Sequence, residues 1–143
     1  MKLRNLLIAA LCTLACTAHA QTDRDRLLGA WHLVRIEPAD PAAQPTGMLV
    51  YTADGHVSVQ LMYPPTAAAL SNEYVRNGYE SSFGTYRVDE ATHTLTHHIE
   101  GANTGSLLVG KDLPRAYRFT PDGHLVLRST RPDEHWSVTW AHD

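Results

Sequence analysis

The chain has 143 residues, with 12 Lys and Arg against 15 Asp and Glu and a net charge of −3. That length suits one domain, and the slight acidity, with no basic stripe, excludes nucleic acid and anionic membrane surfaces as expected partners. The two cysteines, Cys12 and Cys16, both lie near the N-terminus, which excludes a disulfide framework.

The first twenty residues are a signal peptide by composition. A basic start (Lys2, Arg4) precedes an apolar run over residues 6–18, and Ala18-His19-Ala20 offers a small-x-small cleavage site. The run is shorter than the roughly 20 apolar residues a membrane-spanning helix needs. Neither Thr-Leu-Ala before Cys16 nor Ala-Ala-Leu before Cys12 has the small-residue approach of a lipidated cysteine. Cleavage after Ala20 is therefore expected, giving a periplasmic or secreted domain over residues 21–143 with no membrane anchor. That domain keeps 10 basic and all 15 acidic residues, a net charge of −5, and no cysteine. Burial alone must hold it, which a chain of this size can supply, and thiol catalysis and thiolate metal sites are excluded.

Along the domain, residues 23–28 form a short helical turn leading to Gly29-Ala30-Trp31. Alternating, β-rich runs follow, broken by turn residues. Strands are predicted at 31–37, 47–52, 56–63, 82–88, 94–101, 115–120, 124–129 and 136–141. Ala53-Asp54-Gly55 and Pro121-Asp122-Gly123 place Gly where a tight hairpin needs positive φ, and residues 89–93 make a slightly longer turn. Residues 38–46, with three prolines, form a loop. Residues 64–81 form a longer one, in which 67–75 could be a short helix; loops of that length are often functional, so this one either covers a barrel mouth or is a spacer. Gly101-Ala102-Asn103-Thr104-Gly105 reads as a plain loop. Eight strands joined mostly by hairpins predict an all-β fold, a single up-and-down antiparallel barrel, since closure removes exposed edges. A lumen of that size either fills with side chains or holds one small ligand.

Several segments, taken in order, carry a family likeness. They are Leu28-Gly29-Ala30-Trp31-His32-Leu33-Val34, Gly47-x-Leu49-Val50-Tyr51-Thr52-Ala53-Asp54-Gly55-His56-Val57-Ser58-Val59-Gln60-Leu61-Met62, Phe83-Gly84-Thr85-Tyr86-x-Val88-Asp89 and Thr96-His97-His98-x-Glu100-Gly101, with Gly110 and Arg115-x-Tyr117. The series resembles the bacterial lipocalin-like domain family, of calycin-type barrels, over almost the whole domain. The resemblance implies that Gly29 lets the chain turn, that Trp31 plugs the closed end, and that an arginine, Arg115 or Arg128, packs on Trp31. It implies either a carrier of small apolar molecules or a cyclase- or isomerase-type enzyme; a fold does not choose between them.

Alternation sorts the strands into faces. In the fifth strand His97 shares the apolar face with Leu95 and Ile99, so it points inward and His98 outward. An inward His is a base, an acid, a hydrogen-bond donor to a ligand, or a core residue satisfied by a hydroxyl. Adjacent strand residues cannot chelate one ion, and no two-His-plus-carboxylate spacing exists, so neither a metal nor a cofactor is implied. In the sixth strand Arg115 shares an inward face with Tyr117 and Phe119, and a buried Arg needs a partner: a rim position, a carboxylate of the protein or ligand, or an aromatic ring. Gln60 and Tyr86 complete the candidate ligand-binding set with His97, Arg115 and Tyr117; Tyr51 and Trp140 read as core or rim aromatics. No nucleophile elbow, phosphate loop or dinucleotide fingerprint is present. The leading reading is an exported barrel binding a small, mostly apolar molecule. A cofactor-independent isomerase or cyclase using His97, Arg115 and Tyr117, and a packed barrel with a structural or interaction role, stand as alternatives.

Overall fold

In the computed structural model, which describes residues 20–40, 44–65 and 71–142, the first ordered feature is a helix cap. Thr22 Oγ1 accepts from the Asp25 amide (3.1 Å) and the Asp25 carboxylate accepts from the Thr22 amide (3.3 Å), so two orphan N–H groups are satisfied reciprocally. They start helix α1 (Asp23–Leu27), whose Leu27 is fully buried. Eight strands follow: β1 (Gly29–Glu37), β2 (Thr46–Tyr51), β3 (His56–Met62), β4 (Tyr79–Asp89), β5 (Thr94–Ala102), β6 (Asp112–Phe119), β7 (Leu125–Ser129) and β8 (Ser137–His142). Each pairs antiparallel with the next and β8 returns to β1, closing an up-and-down barrel. Among the described residues no helix is long and apolar enough to cross a membrane.

Two hairpins at one end are copies of one Thr-x-Asp-Gly-His turn. In Thr52–His56 and Thr120–His124 the Thr amide donates to the His carbonyl (3.0 and 2.9 Å). The His amide donates back to the Thr hydroxyl oxygen (3.0 and 2.9 Å). Gly55 and Gly123 sit at φ +92° and +86°, where a side chain would be strained. These turns, the β4–β5 turn and α1 shut one end of the barrel. The longer connections after β1, β3, β5 and β7 gather at the other.

The structure extends two strands. β4 begins at Tyr79 rather than at residue 82, and β6 at Asp112 rather than 115, because cross-strand pairing carries them past the alternation visible in sequence. The segment read as a plain loop over residues 101–105 is structured. Gly101 and Ala102 complete β5, and the Asn103 side chain donates to Tyr79 O (2.6 Å) and accepts from the Ser81 amide (3.2 Å). A 3-10 turn follows at Gly105–Leu107. Residues 71–75 are not helical; the remainder of that helix expectation (66–70), the middle of the 38–46 loop (41–43) and residues 1–19 lie outside the described residues. A bulge between Phe83 and Gly84 brings β4 against β5 so closely that a Cβ on Gly84 would sit 1.9 Å from the His98 carbonyl oxygen.

The main core fills the shut end and the middle of the barrel: Leu27, Trp31, Leu49, Tyr51, Tyr86, Leu95, Tyr117, Leu125 and Trp140 are all buried. A smaller cluster of Ile99, Leu108 and Leu113 lies toward the open end.

Candidate functional site

Between those clusters is a cavity of about 250 Å³, larger than the ~150 Å³ space that holds benzene in an engineered core. Strand register gives its depth. Leu49 pairs with Trp31 and Trp140 with Leu125, so Leu49, Trp140 and Leu127 form the floor above the shut end. Ile36, Val59, Leu61, Ile99, Leu113 and Val138 make apolar walls. The roof comes from Tyr63 just after β3, from Asn72, Tyr74 and Val75 ahead of β4, and from Trp136 of the β7–β8 connection. It is tied down. Asn72 Oδ1 accepts from the Tyr74 and Val75 amides (2.8 Å each), Tyr74 donates to Glu134 (2.9 Å), and its ring meets Trp136 edge-on at 6.4 Å. Arg131 bridges Glu73 in the roof to Asp133 and Glu134.

Three titratable side chains of the strands, Arg115, Glu80 and His97, line this apolar space. Arg115 is buried at 6% exposure and donates to the Pro114 carbonyl (3.3 Å). Its guanidinium lies 4.8 Å from the Trp136 ring centroid and 5.4 Å from that of Tyr74, contacts that favour a cation over a ring face. Among the described residues no carboxylate comes within the 4.0 Å of an ion pair with it. Glu80 faces the same cavity. Burial pushes its carboxyl up to about 7, against the pull of the Arg115 charge, so near neutrality it does not reliably supply a counter-charge. His97 stands on β5, between the strands that carry Glu80 and Arg115, with its Nε2 at 2.8 Å from the Tyr51 hydroxyl. Burial, and secondarily the Arg115 charge, hold it down to about 3, so the imidazole is neutral; burial also raises the Tyr51 hydroxyl. Trp140 also lines the floor, but its indole N–H is buried away from the cavity and has no hydrogen-bond partner.

The five candidate residues separate. His97 and Arg115 line the cavity together. Tyr117 and Tyr86 face inward but sit below the floor: Tyr117 donates to Asp23 (2.9 Å), packed on Phe119 at the α1 end, and Tyr86 donates to Thr52 O (2.9 Å). Gln60 points away from the lumen on β3 and accepts from the Tyr79 hydroxyl. His98 is also on the outer surface, 2.8 Å from Asp112. The arginine expected on Trp31 is neither Arg115, which stacks on Trp136, nor Arg128, which is exposed. Instead Arg26 covers Phe119 at 3.7 Å, and Trp31 meets Phe119 and His142. Glu80 was absent from the candidates. Continuing the inward series Tyr86, Gly84, Ser82 back by one step finds it, once the strand is known to start at Tyr79. Trp140 was read only as packing. Among the described residues no three metal-ligating side chains come together.

Residues 28–141 match the sequence pattern of the lipocalin-like domain. The chain belongs to the lipocalin-like domain family. No curated protein is similar enough to count as a relative. Among solved structures, this lipocalin-like barrel is similar to crystal structures of two point mutants of the fluorescent protein UnaG. Identities are 11% and 10% and TM-scores 0.44 and 0.45, over 82% and 83% of this chain and 96% and 97% of those chains. A lipocalin-like barrel with such a lumen is consistent with binding a small molecule.

Proposed function

We propose that this lipocalin-like protein is an exported carrier that takes a small, mostly apolar molecule into its lumen. The observation that carries the reading is the roofed, about 250 Å³ cavity with aliphatic and aromatic walls and a few polar groups inside; ligand sites are built this way, while a packed structural barrel would fill the space. Export is supported by the signal-like first twenty residues and by the position of the fold's first cap, Thr22, two residues past Ala20. In a two-membrane bacterium the mature chain would reside in the periplasm.

Neutral N-phenyl-1-naphthylamine, which fluoresces on entering an apolar site, tests the binding. It should light up with the wild-type protein and stay dark with Val59→Trp, which fills the lumen, provided circular dichroism shows that variant folded. Equal fluorescence from both would place the dye outside the barrel and end the carrier reading. Mass spectrometry of the exported chain should give Gln21 as its first residue; an intact Met1 or a lipid on Cys16 would overturn the export claim.

A further inference from the structure

The outer wall of the barrel has a charged half and an uncharged half. Outward positions of β5, β6 and β7 carry Glu100, Asp112, Arg118 and Arg128, all exposed. On the other half, three rows of outward residues cross β2, β3 and β4, centred on Ser58, Gln60 and Met62 of β3. No Asp, Glu, Lys or Arg stands in those rows. They hold large apolar side chains instead. Met48, paired with Gln60, is 47% exposed, Met62 is 54% exposed, and Phe83, paired with Ser58, is 57% exposed. Single exposed apolar residues are ordinary, but three on adjacent strands make a patch. Phe83 is also held in place. Its ring lies over Gly101 of β5, where a Cβ would come within 2.3 Å of it. The open face of that ring therefore has little rotamer freedom left to lose on contact.

We propose that this face of β2–β4 is the interface of a two-fold symmetric dimer, its occupant a second copy of this chain. Charge argues for a copy. Residues 21–143 carry a net charge of −5, so copies repel over most of their surface, whereas a face built for a charged partner would carry the complementary charge. Near a two-fold axis a residue meets its own counterpart, so a charged one would meet its own sign. Uncharged residues tolerate that juxtaposition. Gln60 stands at the centre, between Met48 and Ser81 across the strands and between Ser58 and Met62 along β3. Its Oε1 accepts from the Tyr79 hydroxyl, which leaves its amide NH2 to donate and the Tyr79 oxygen to accept. One donor and one acceptor per copy form a set complementary to itself. Exposed His56 and Glu100 at the edges supply the polar rim usual for an interface. Three strands about 4.8 Å apart, with their side chains, make a face about 20 Å square, or roughly 500 Å² per copy and 1,000 Å² in a pair. That is the size of a reversible contact rather than a permanent one.

Sedimentation equilibrium of the full mature protein, loaded from about 10 µM to about 1 mM, should show a reversible monomer–dimer equilibrium with a dissociation constant on the order of 100 µM. Association should not weaken as NaCl rises from about 0.05 to about 0.5 M, since screening removes repulsion and no ion pair is lost. Phe83→Ser and Met62→Ser should each raise the dissociation constant at least about fivefold, while Arg118→Gln on the charged half should leave it unchanged. Gln60→Glu and Gln60→Lys should each be monomeric alone and associate when mixed in equal amounts, because the two-fold places position 60 opposite itself. Circular dichroism confirms that each variant is folded; should Phe83→Ser fail to fold, Met62→Ser at the strand end decides. A chain that stays monomeric to about 1 mM, a dimer that survives both charges at position 60, or Gln60 variants that stay apart on mixing would overturn the proposal. So would wild-type protein that stays monomeric but floats with neutral phosphatidylcholine vesicles, which would give the face to lipid.

Discussion

The two ends of this barrel are built from similar residues and treat their polar groups in opposite ways. At the shut end each aromatic polar atom is paired: Trp31 Nε1 donates to Leu27 O (2.8 Å), Tyr117 to Asp23 and Tyr86 to Thr52 O (2.9 Å each). His142 Nε2 lies 2.8 Å from Leu28 O. In the cavity above, Arg115 lacks a counter-charge among the described residues, while Trp140, at the floor between the two regions, keeps an orphan N–H. Satisfied burial stabilises, while unsatisfied burial persists only where something else, such as a ligand, can meet it. The shut end is thus read as the part that holds the fold, and the lumen above it as the part that works.

The sharpest test of that division is Trp31→Ala. Trp31 is 2% exposed, and truncating a buried Trp costs about 3–5 kcal/mol, a large share of a stability near 5–15 kcal/mol. Chemical denaturation should show this loss. A cost below about 1 kcal/mol would mean that the shut end does not anchor the barrel.

pH separates two lumen groups by the sign of their slopes. His97, lowered from 6.5 to about 3, takes up its proton more readily in the unfolded chain, so its contribution is full above about 6.5 and is lost as pH falls toward 3. Glu80, raised from 4.5 to about 7, is the reverse: its contribution is full below 4.5 and is lost as pH rises through 7. The two oppose each other between 4.5 and 6.5. Glu80→Gln should therefore gain stability relative to wild type between pH 5 and 8, by on the order of 1–2 kcal/mol after discounting for partial exposure. Parallel stability curves for the two proteins would show that Glu80 is not perturbed.

Arg115→Met sharpens the comparison further. If Arg115 serves the lumen, replacing a buried unpaired charge with an apolar side chain should leave stability unchanged or raise it by about 1 kcal/mol. A loss above about 2 kcal/mol in urea would move Arg115 to the structural side. The smallest effect is expected from Tyr117→Phe, which removes one partly exposed hydrogen bond to Asp23: a loss of about 0.5–1.5 kcal/mol, with dye entry into the lumen unchanged. Altered dye binding would mean that the shut end reaches into the site.

Much of the barrel was legible because its signals are local. Alternation marks faces, and Asp-Gly turns mark hairpins; both depend on a few neighbouring residues. The β4 start escaped because Tyr79, Glu80 and Ser81 alternate weakly and follow a long segment without a clear break, which hid Glu80. For the candidate site, alternation could put Tyr117, Tyr86, His97 and Arg115 inside but could not order them by height.

The sequence by itself determined the strand count, the turns, the family and the inward placement of His97 and Arg115, since these follow from period-two geometry and glycine conformation. Only the tertiary structure decided which inward residues meet the cavity. Height along the barrel depends on the stagger between strands, accumulated around all eight and altered at bulges such as that beside Gly84, and no single strand encodes it. The same stagger sets Tyr117 against Asp23 below the floor, leaves Glu80 and Arg115 in one apolar space above it, and strands the Trp140 N–H between them.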